Sequence, residues 1–437
     1  MGKGGDNSSK SSMRSDFHWS TYKEPHVKRR NEILKKHPEI EKLYGPEPRV
    51  VPFVLAIMAS QFALAYYSQY FSNTVFFLVA WIYGGAASHA LSLMTHELSH
   101  DLVFPRPKTG ELNRNEWFGI FCNTAMGIPS STMFKRYHMD HHLFQGDDEF
   151  DMDLPTQWEG NFFTNTFLKA IWLLAQPLFY ALRPIIVKPK KPYLIDNLNT
   201  IIILTTDALI AYYVRPMALV YLVLSTLLGM GFHPVAGHFI AEHYVFDYKY
   251  GTYNVVEVIS NKDNVLKCSL NSLSYIENVG ETVVSKTLQT GDRLITANSI
   301  SEYNITKVES DNSKYVVTLD RVYGDEVISG GGKTVLSLDD TTETYSYYGA
   351  LNYICWNVGY HNEHHDFPQV AGWNLPKVKA AAPEFYNNLH EHKSWTYVLW
   401  RYITDPTINP FSRVRRIKTK ASMLEKIREE KESRKSK

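Results

Sequence analysis

Two stretches of this chain leave it little choice of solvent. VPFVLAIMASQFALAYYSQY (51–70) and TVFFLVAWIYGGAASHALSLM (74–94) contain no Asp, Glu, Lys or Arg, and each reaches the roughly 20 residues a helix needs to cross a bilayer. NTIIILTTDALIAYYVRPMALVYLVLSTLLGMGF (199–232) is longer and is interrupted at Arg215-Pro216. Proline removes a helical donor and restricts the residue before it, so this region reads as two crossings with a turn between them. FLKAIWLLAQPLFYALRPII (167–186) is amphipathic and contains proline, the pattern of an interfacial or re-entrant segment. The mean hydropathy of −0.27 hides this segregation. A soluble fold would need four or five such helices in its core. We therefore expect an all-α integral membrane protein with spans at about 50–70, 74–94, 199–213 and 216–232.

Charge sets the orientation. The arm HVKRRNEILKKHPEIEKLYGPEPR and the tail RVRRIKTKASMLEKIREEKESRKSK are both rich in Lys and Arg, which places both ends in the cytosol and calls for an even number of crossings. With four, residues 95–198 and everything after about 235 share the cytosolic face. The formal net charge of +1 offers no nucleic-acid tether. Cys122, Cys268 and Cys355 are widely separated, and three such residues neither form a disulfide framework nor offer zinc-binding spacing.

Histidines crowd that face. THELSH puts His96 and His100 at i and i+4 on one helix face, with His89 seven residues before His96. YHMDHH adds His138, His141 and His142; GFHPVAGHFIAEHY adds His233, His238 and His243; GYHNEHHDFP adds His361, His364 and His365. Two H-x-x-H-H words in one chain need a shared cause. Neutral imidazole is a ligand for Fe, Zn, Cu and Ni, and this count suits two ions rather than one. HELSH also completes the H-E-x-x-H pattern of zinc hydrolases, but a mononuclear zinc site would leave six imidazoles without a role. An unactivated methylene C–H bond is beyond a side-chain acid or base, so a lipid substrate points to iron and dioxygen. QGDDEFDMDLP (145–155) carries Asp147, Asp148, Glu149 and Asp151, which are open to three readings: orienting ligand imidazoles, receiving a basic partner, or a solvated loop.

The words around these histidines resemble the membrane fatty acyl desaturase superfamily and, within it, the sphingolipid delta-4 (dihydroceramide) desaturases. The resemblance rests on THELSHDLVF, FKRYHMDHHLFQGDDEFDMDLP, GFHPVAGHFIAEHYVF and ETYSYYGALNYICWNVGYHNEHHDFP, with DFHWSTYKEPHVKRRNEILKKHPEI similar to the subgroup's entry segment. It implies a cytosolic diiron cap whose ligands are His96, His100, His138, His141, His142, His361, His364 and His365. A ninth ligand comes from His243 as first choice, His238 next, with His233 nearby rather than coordinating. It implies the conversion of dihydroceramide to ceramide by O2-dependent dehydrogenation of carbons 4 and 5 of the sphingoid base. Electrons would come from NADH through cytochrome b5 reductase and a separate cytochrome b5, at the endoplasmic reticulum membrane. C4 hydroxylation, alone or beside desaturation, is the alternative outcome. The asparagine found four residues before the ninth histidine in acyl-CoA members is replaced by Phe239.

The implied organisation is an N-terminal arm (1–49), a first desaturase part (50–246), an inserted segment (247–342), a second desaturase part (343–415) and a basic tail (416–437). The insertion departs from the family pattern. Its alternation in SKYVVTLDRVYG and KTVLSLDD, with turns at TGDR, YGDE and SGGGK, predicts a small β-rich module. SGGGKT lacks the full phosphate-loop spacing. A module with adjacent ends would leave the cap whole, whereas distant ends would pull ligands apart and give a non-catalytic isoform. The sequon at Asn304 is expected to be unglycosylated in the cytosol, and Asp6 stands where the myristoylation pattern starting at Gly2 wants Ser or Thr.

Overall fold

The computed structural model describes residues 16–20, 24–246, 249–262, 265–279, 282–283, 288, 290, 292–296, 302–311, 314–323, 328–339 and 343–416. The expectations at Gly2, at the YGDE turn after Tyr323 and in the tail beyond Arg416 lie outside the described residues. The described chain forms two compact units, one of residues 16–244 and 344–416, the other of 245–343.

The first unit is an all-α membrane protein. Four helices among the described residues are long and apolar enough to cross a bilayer: Pro48–Tyr70, Asn73–Ser99, Leu194–Val214 and Pro216–Ala241. The second and fourth run further than their apolar stretches, carrying the helical path directly into the histidine-bearing segments. Thr166–Leu174 and Gln176–Val187 meet at a 74° bend and do not form one straight helix. Lipid gives no hydrophobic drive between spans, so close backbone approach and interhelical hydrogen bonds hold them together. A Cβ on Gly229 would lie 2.2 Å from the carbonyl oxygen of Gly85, so glycine is what lets the fourth span touch the second. Tyr221 donates to Gln61 (3.1 Å), which donates to Ser88 (2.8 Å), tying spans one, two and four through buried polar groups.

On one side of the spans the chain builds a cap. Helix α1 (Pro25–Lys36) opens at a Glu24 side chain that accepts from the His26 amide, and buries Ile33 among Ile40, Phe367, Val370 and Tyr386. Helix α2 (Gly85–Ser99) ends the second span, α3 (Ser131–Leu143) holds the first H-x-x-H-H word, and α4 (His361–Asp366) the second. The segments His18–Ser20 and Val414–Arg416 pair in parallel, so the two ends of the described chain lie side by side.

The second unit is a closed antiparallel barrel, a more definite object than the β-rich module expected. Among the described residues, its ring strands are β1 (Lys249–Lys262), β2 (Val265–Val279), β3 (Arg293–Thr296), β4 (Glu302–Asp311), β5 (Lys314–Tyr323) and β6 (Val335–Asp339), with the short strand Thr282–Val283 paired onto β2. The order is β1-β6-β3-β4-β5-β2, and β2 pairs again with β1 to close the ring. Alternate residues fill the interior: Tyr253 and Val255, Leu266, Cys268 and Leu270, Tyr303 and Ile305, Val317 and Leu319. Asn304 stands on β4 opposite Arg293 and Asp320. The first and last strands are neighbours, with Tyr250 opposite Asp339. In the membrane unit, the Tyr345 amide donates to the Glu242 carbonyl (3.0 Å), so the points where the chain departs and returns are also adjacent.

Both stems being closed, the barrel should melt as its own unit. Leu270→Ala should cost the barrel about 2–5 kcal/mol and lower the temperature at which β circular dichroism is lost. The metal content of the membrane unit should not change, and a parallel fall in both would show the two units to be one cooperative block.

Candidate metal centre

An H-x-x-H-H word on a helix splits its imidazoles by geometry. At about 100° per residue, the first and last histidines share a face and the middle one is turned away. On α3, His138 and His142 join His96, His100 and His364, while His141 joins His243 and His365, the ligand atoms of each group lying within 4.8 Å of one another. On α4 the assignment is exchanged. His364, the middle residue, belongs to the first group, and the outer His361 and His365 lie with the second, His361 Nε2 being 2.9 Å from His243 Nε2. Each word therefore reaches both clusters, and the rings of His142 and His365 stack at 4.3 Å where the clusters meet.

Within the clusters the Nε2 atoms are 2.9 Å apart for His100 and His138, and 3.1 Å for His138 and His142, His142 and His364, and His141 and His243. Two imidazoles each about 2.1 Å from one ion and at right angles would have nitrogens ~3 Å apart. His96 Nε2 and His365 Nε2 are buried without a hydrogen-bond partner. Burial first, and then the charge of neighbouring imidazoles, holds His138, His142, His361, His364 and His365 well below the ordinary histidine value. They are neutral near pH 7, which is the ligating form. Buried lone pairs converging at this spacing fit a pair of metal ions.

Carboxylates stand behind the ligands. Asp151 Oδ1 is 3.0 Å from His141 Nδ1 and its Oδ2 accepts from the Gly146 amide (2.7 Å), with Asp153 at 3.6 Å from the same imidazole nitrogen. Burial opposes charge on His141, but these two carboxylates outweigh it and raise its pKa. Glu242 Oε1 lies 3.3 Å from His361 Nδ1, and Glu97 Oε1 3.5 Å from His96 Nδ1 while its Oε2 accepts from the Gly372 amide. Of the acidic run, Asp151 orients an imidazole, Asp147 accepts from the Glu149 and Phe150 amides, and Asp148 pairs with Arg415.

Comparison with known proteins agrees with this geometry. Residues 13–49 match the family described as Sphingolipid Delta4-desaturase (DES), and residues 71–268 and 329–397 match Fatty acid desaturase. The chain is 38% identical over 404 residues to a sphingolipid delta(4)-desaturase DES1-like protein of Oryza sativa subsp. japonica, covering 92% of this chain and 94% of the relative. It is 35% identical to sphingolipid delta(4)-desaturase DES1 of Bos taurus over 403 residues, covering 92% and 95%. Against the same organism's sphingolipid delta(4)-desaturase/C4-monooxygenase DES2 it is 35% identical over 406 residues, covering 92% and 96%. The chain belongs to the sphingolipid delta-4 desaturases.

For a desaturase of this family the two clusters are the seat of a diiron cofactor, and the break in the family match, 269–328, falls within the barrel. His238 is placed elsewhere than at the clusters. It opens the short helix His238–Ala241, and its Nδ1 is 3.0 Å from His89 Nε2 and 3.2 Å from the Val235 carbonyl oxygen. His89 in turn contacts the Gly229 carbonyl oxygen (2.9 Å), and the His233 ring lies against Trp81. His243, past the end of that helix, is the one that reaches the centre. Phe239 packs on His238 and Tyr180. Glu242 and Asp153 went unremarked in the sequence, and Glu97 was read only as the Glu of the H-E-x-x-H pattern. Each lies next to or within two residues of a box histidine or in the acidic run, so the carboxylate-near-histidine pattern was the available signal.

Asp151→Asn keeps shape but removes the charge behind His141. Iron retention against a chelator should weaken roughly 10- to 100-fold while the folded yield is kept, and unchanged retention would show the carboxylate to be incidental.

Proposed function

We infer that this protein is a membrane diiron oxidoreductase that desaturates dihydroceramide to ceramide at carbons 4 and 5 of the sphingoid base. The observation that carries the reading is the meeting of nine histidines, all buried but His142, in two groups beneath one cap, in a chain that matches delta-4 desaturases along nearly its whole length. The reaction balances as dihydroceramide, O2, two electrons and two protons giving ceramide and two waters. Bound iron supplies dioxygen activation strong enough to break an unactivated C–H bond.

The chain's own residues do the holding. His96, His100, His138, His142 and His364 would bind one iron, and His141, His243, His361 and His365 the other. Asp151 fixes the His141 ring through Nδ1, leaving Nε2 to face the centre. All nine side chains but that of His142 are buried, which keeps bulk water from the reacting positions. Three cysteines, all free and buried, leave no exposed thiol to quench an oxidant.

The finer points of context follow from the same reading. Electrons come from NADH through cytochrome b5 reductase and a separate cytochrome b5. The protein works at the endoplasmic reticulum membrane with both ends cytosolic, as the Lys/Arg-rich flanks and the pairing of His18–Ser20 with Val414–Arg416 support. The desaturase is one unit interrupted by the barrel at 247–342, and the Glu242–Tyr345 hydrogen bond is the reason the interruption leaves the cap whole.

Purified protein supplied with dihydroceramide, O2, NADH, the reductase and cytochrome b5 should yield a lipid lighter by two hydrogens. A product heavier by one oxygen would replace this reading with C4 hydroxylation, and no product from iron-loaded protein would overturn it. His142→Ala and His365→Ala each remove one ligand from a different group. Either should depress turnover by more than the roughly 10- to 100-fold typical of a residue that only orients a ligand, and each should lower the iron content measured per chain.

A further inference from the structure

The N-terminal helix reaches the second H-x-x-H-H word through a set of contacts that the iron-binding roles above do not use. His26 and Arg29 lie at i and i+3 on α1, on the face that also buries Ile33. Arg29 donates through Nε to Asp366 Oδ2 (2.7 Å) and through Nη2 to Asp366 Oδ1 (3.0 Å) and Asn362 Oδ1 (2.9 Å). Asp366 is the last residue of α4 and is fully buried. The guanidinium thus grips the helix at its two ends, next to His361 and next to His365, with the fork geometry that only arginine offers.

His26 adds a second tie. Its Nδ1 is 2.8 Å from Asp366 Oδ1 and its Nε2 2.9 Å from the Thr344 hydroxyl, which also accepts from Gln145 Nε2 (3.1 Å). Gln145 follows His142 by three residues, so one side chain from the N-terminal arm links the chain after the first word to the helix of the second. The His26 ring also lies 4.9 Å from the ring of His365.

We propose that His26 and Arg29 are positioning residues that fix the rotation of helix His361–Asp366 through Asp366 and Asn362, and so hold His361 and His365 on the four-histidine iron site. A six-residue helix has no stable setting of its own, and Asp366, which also accepts from Tyr386, is one of the points that fix its rotation, beside Glu363, which accepts from Ser346 and Tyr348. The inference rests on the diiron reading and concerns one of its two sites.

The test is iron content and spectroscopy rather than turnover. Wild-type protein, Arg29→Met, Arg29→Lys, His26→Phe and the control Lys28→Met, an exposed neighbour on the same helix, would be purified in detergent and challenged with a ferrous chelator. Released iron would be timed, and the retained iron examined by Mössbauer spectroscopy. Arg29→Met should lose one iron roughly 10- to 100-fold faster than wild type and leave the other in a mononuclear spectrum. Arg29→Lys should fall between, and Lys28→Met should match wild type. His26→Phe keeps an aromatic ring but removes both nitrogens, and should reproduce the one-site loss even where Arg29→Met fails to accumulate. Wild-type release rates in Arg29→Met and His26→Phe, or equal loss of both irons in every Arg29 variant, would overturn the proposal. A wild-type chain that holds no iron would instead overturn the diiron reading itself, so the two failures are distinguishable.

Discussion

Buried imidazole nitrogens facing one another at 2.9–3.1 Å cannot all satisfy each other, because each neutral ring has one donor and one acceptor. Nδ1 of His141 is committed to a carboxylate, so its Nε2 arrives as a lone pair beside the Nε2 of His243. Only a cation between them removes the cost of burying such a set. The cap is therefore arranged around positive charge that its own residues do not supply at the centre, and much of the surrounding structure serves to keep nine rings aimed at it.

That aim depends on elements with little stability of their own. The second H-x-x-H-H word lies on six residues of helix, and His243 follows a helix of four. The long membrane helices carry His96 and His100 rigidly, but the remaining ligands are held by contacts from distant parts of the chain. Glu97 accepts from Gly372, Trp356 donates to the Ala90 carbonyl, and Ile33 of the N-terminal helix packs on Phe367 and Val370. A metal site of this kind is a tertiary property. The spans alone would present two of its nine imidazoles.

Much of this was legible in the sequence because it depends on local periodicity. Uncharged runs of bilayer length and repeated histidine words are one-dimensional signals, and the sorting of each word between two clusters follows from helical pitch alone. The ranking of His243 ahead of His238 came from the resemblance and not from any spacing rule, since it turns on where a four-residue helix stops. The link from Arg29 to Asp366, 337 residues apart, was not legible, because no spacing rule connects them. In the barrel, alternation marked the strands, but closure of the ring depends on β2 pairing with both β1 and β5, a non-local fact.

An insertion of this size between two groups of ligands would ordinarily threaten the site, because His243 and His361 must come within 2.9 Å of one another. Loop-closure entropy rises only slowly with length, so length is a smaller danger than geometry. What matters is whether the inserted chain pulls on its ends. Here the membrane unit closes its own gap with the backbone bond from Tyr345 to Glu242, and the barrel begins and ends on adjacent strands. Neither unit needs to stretch to accommodate the other. The desaturase chemistry and the barrel can then change in sequence independently, as long as the residues at that junction keep their backbone contact.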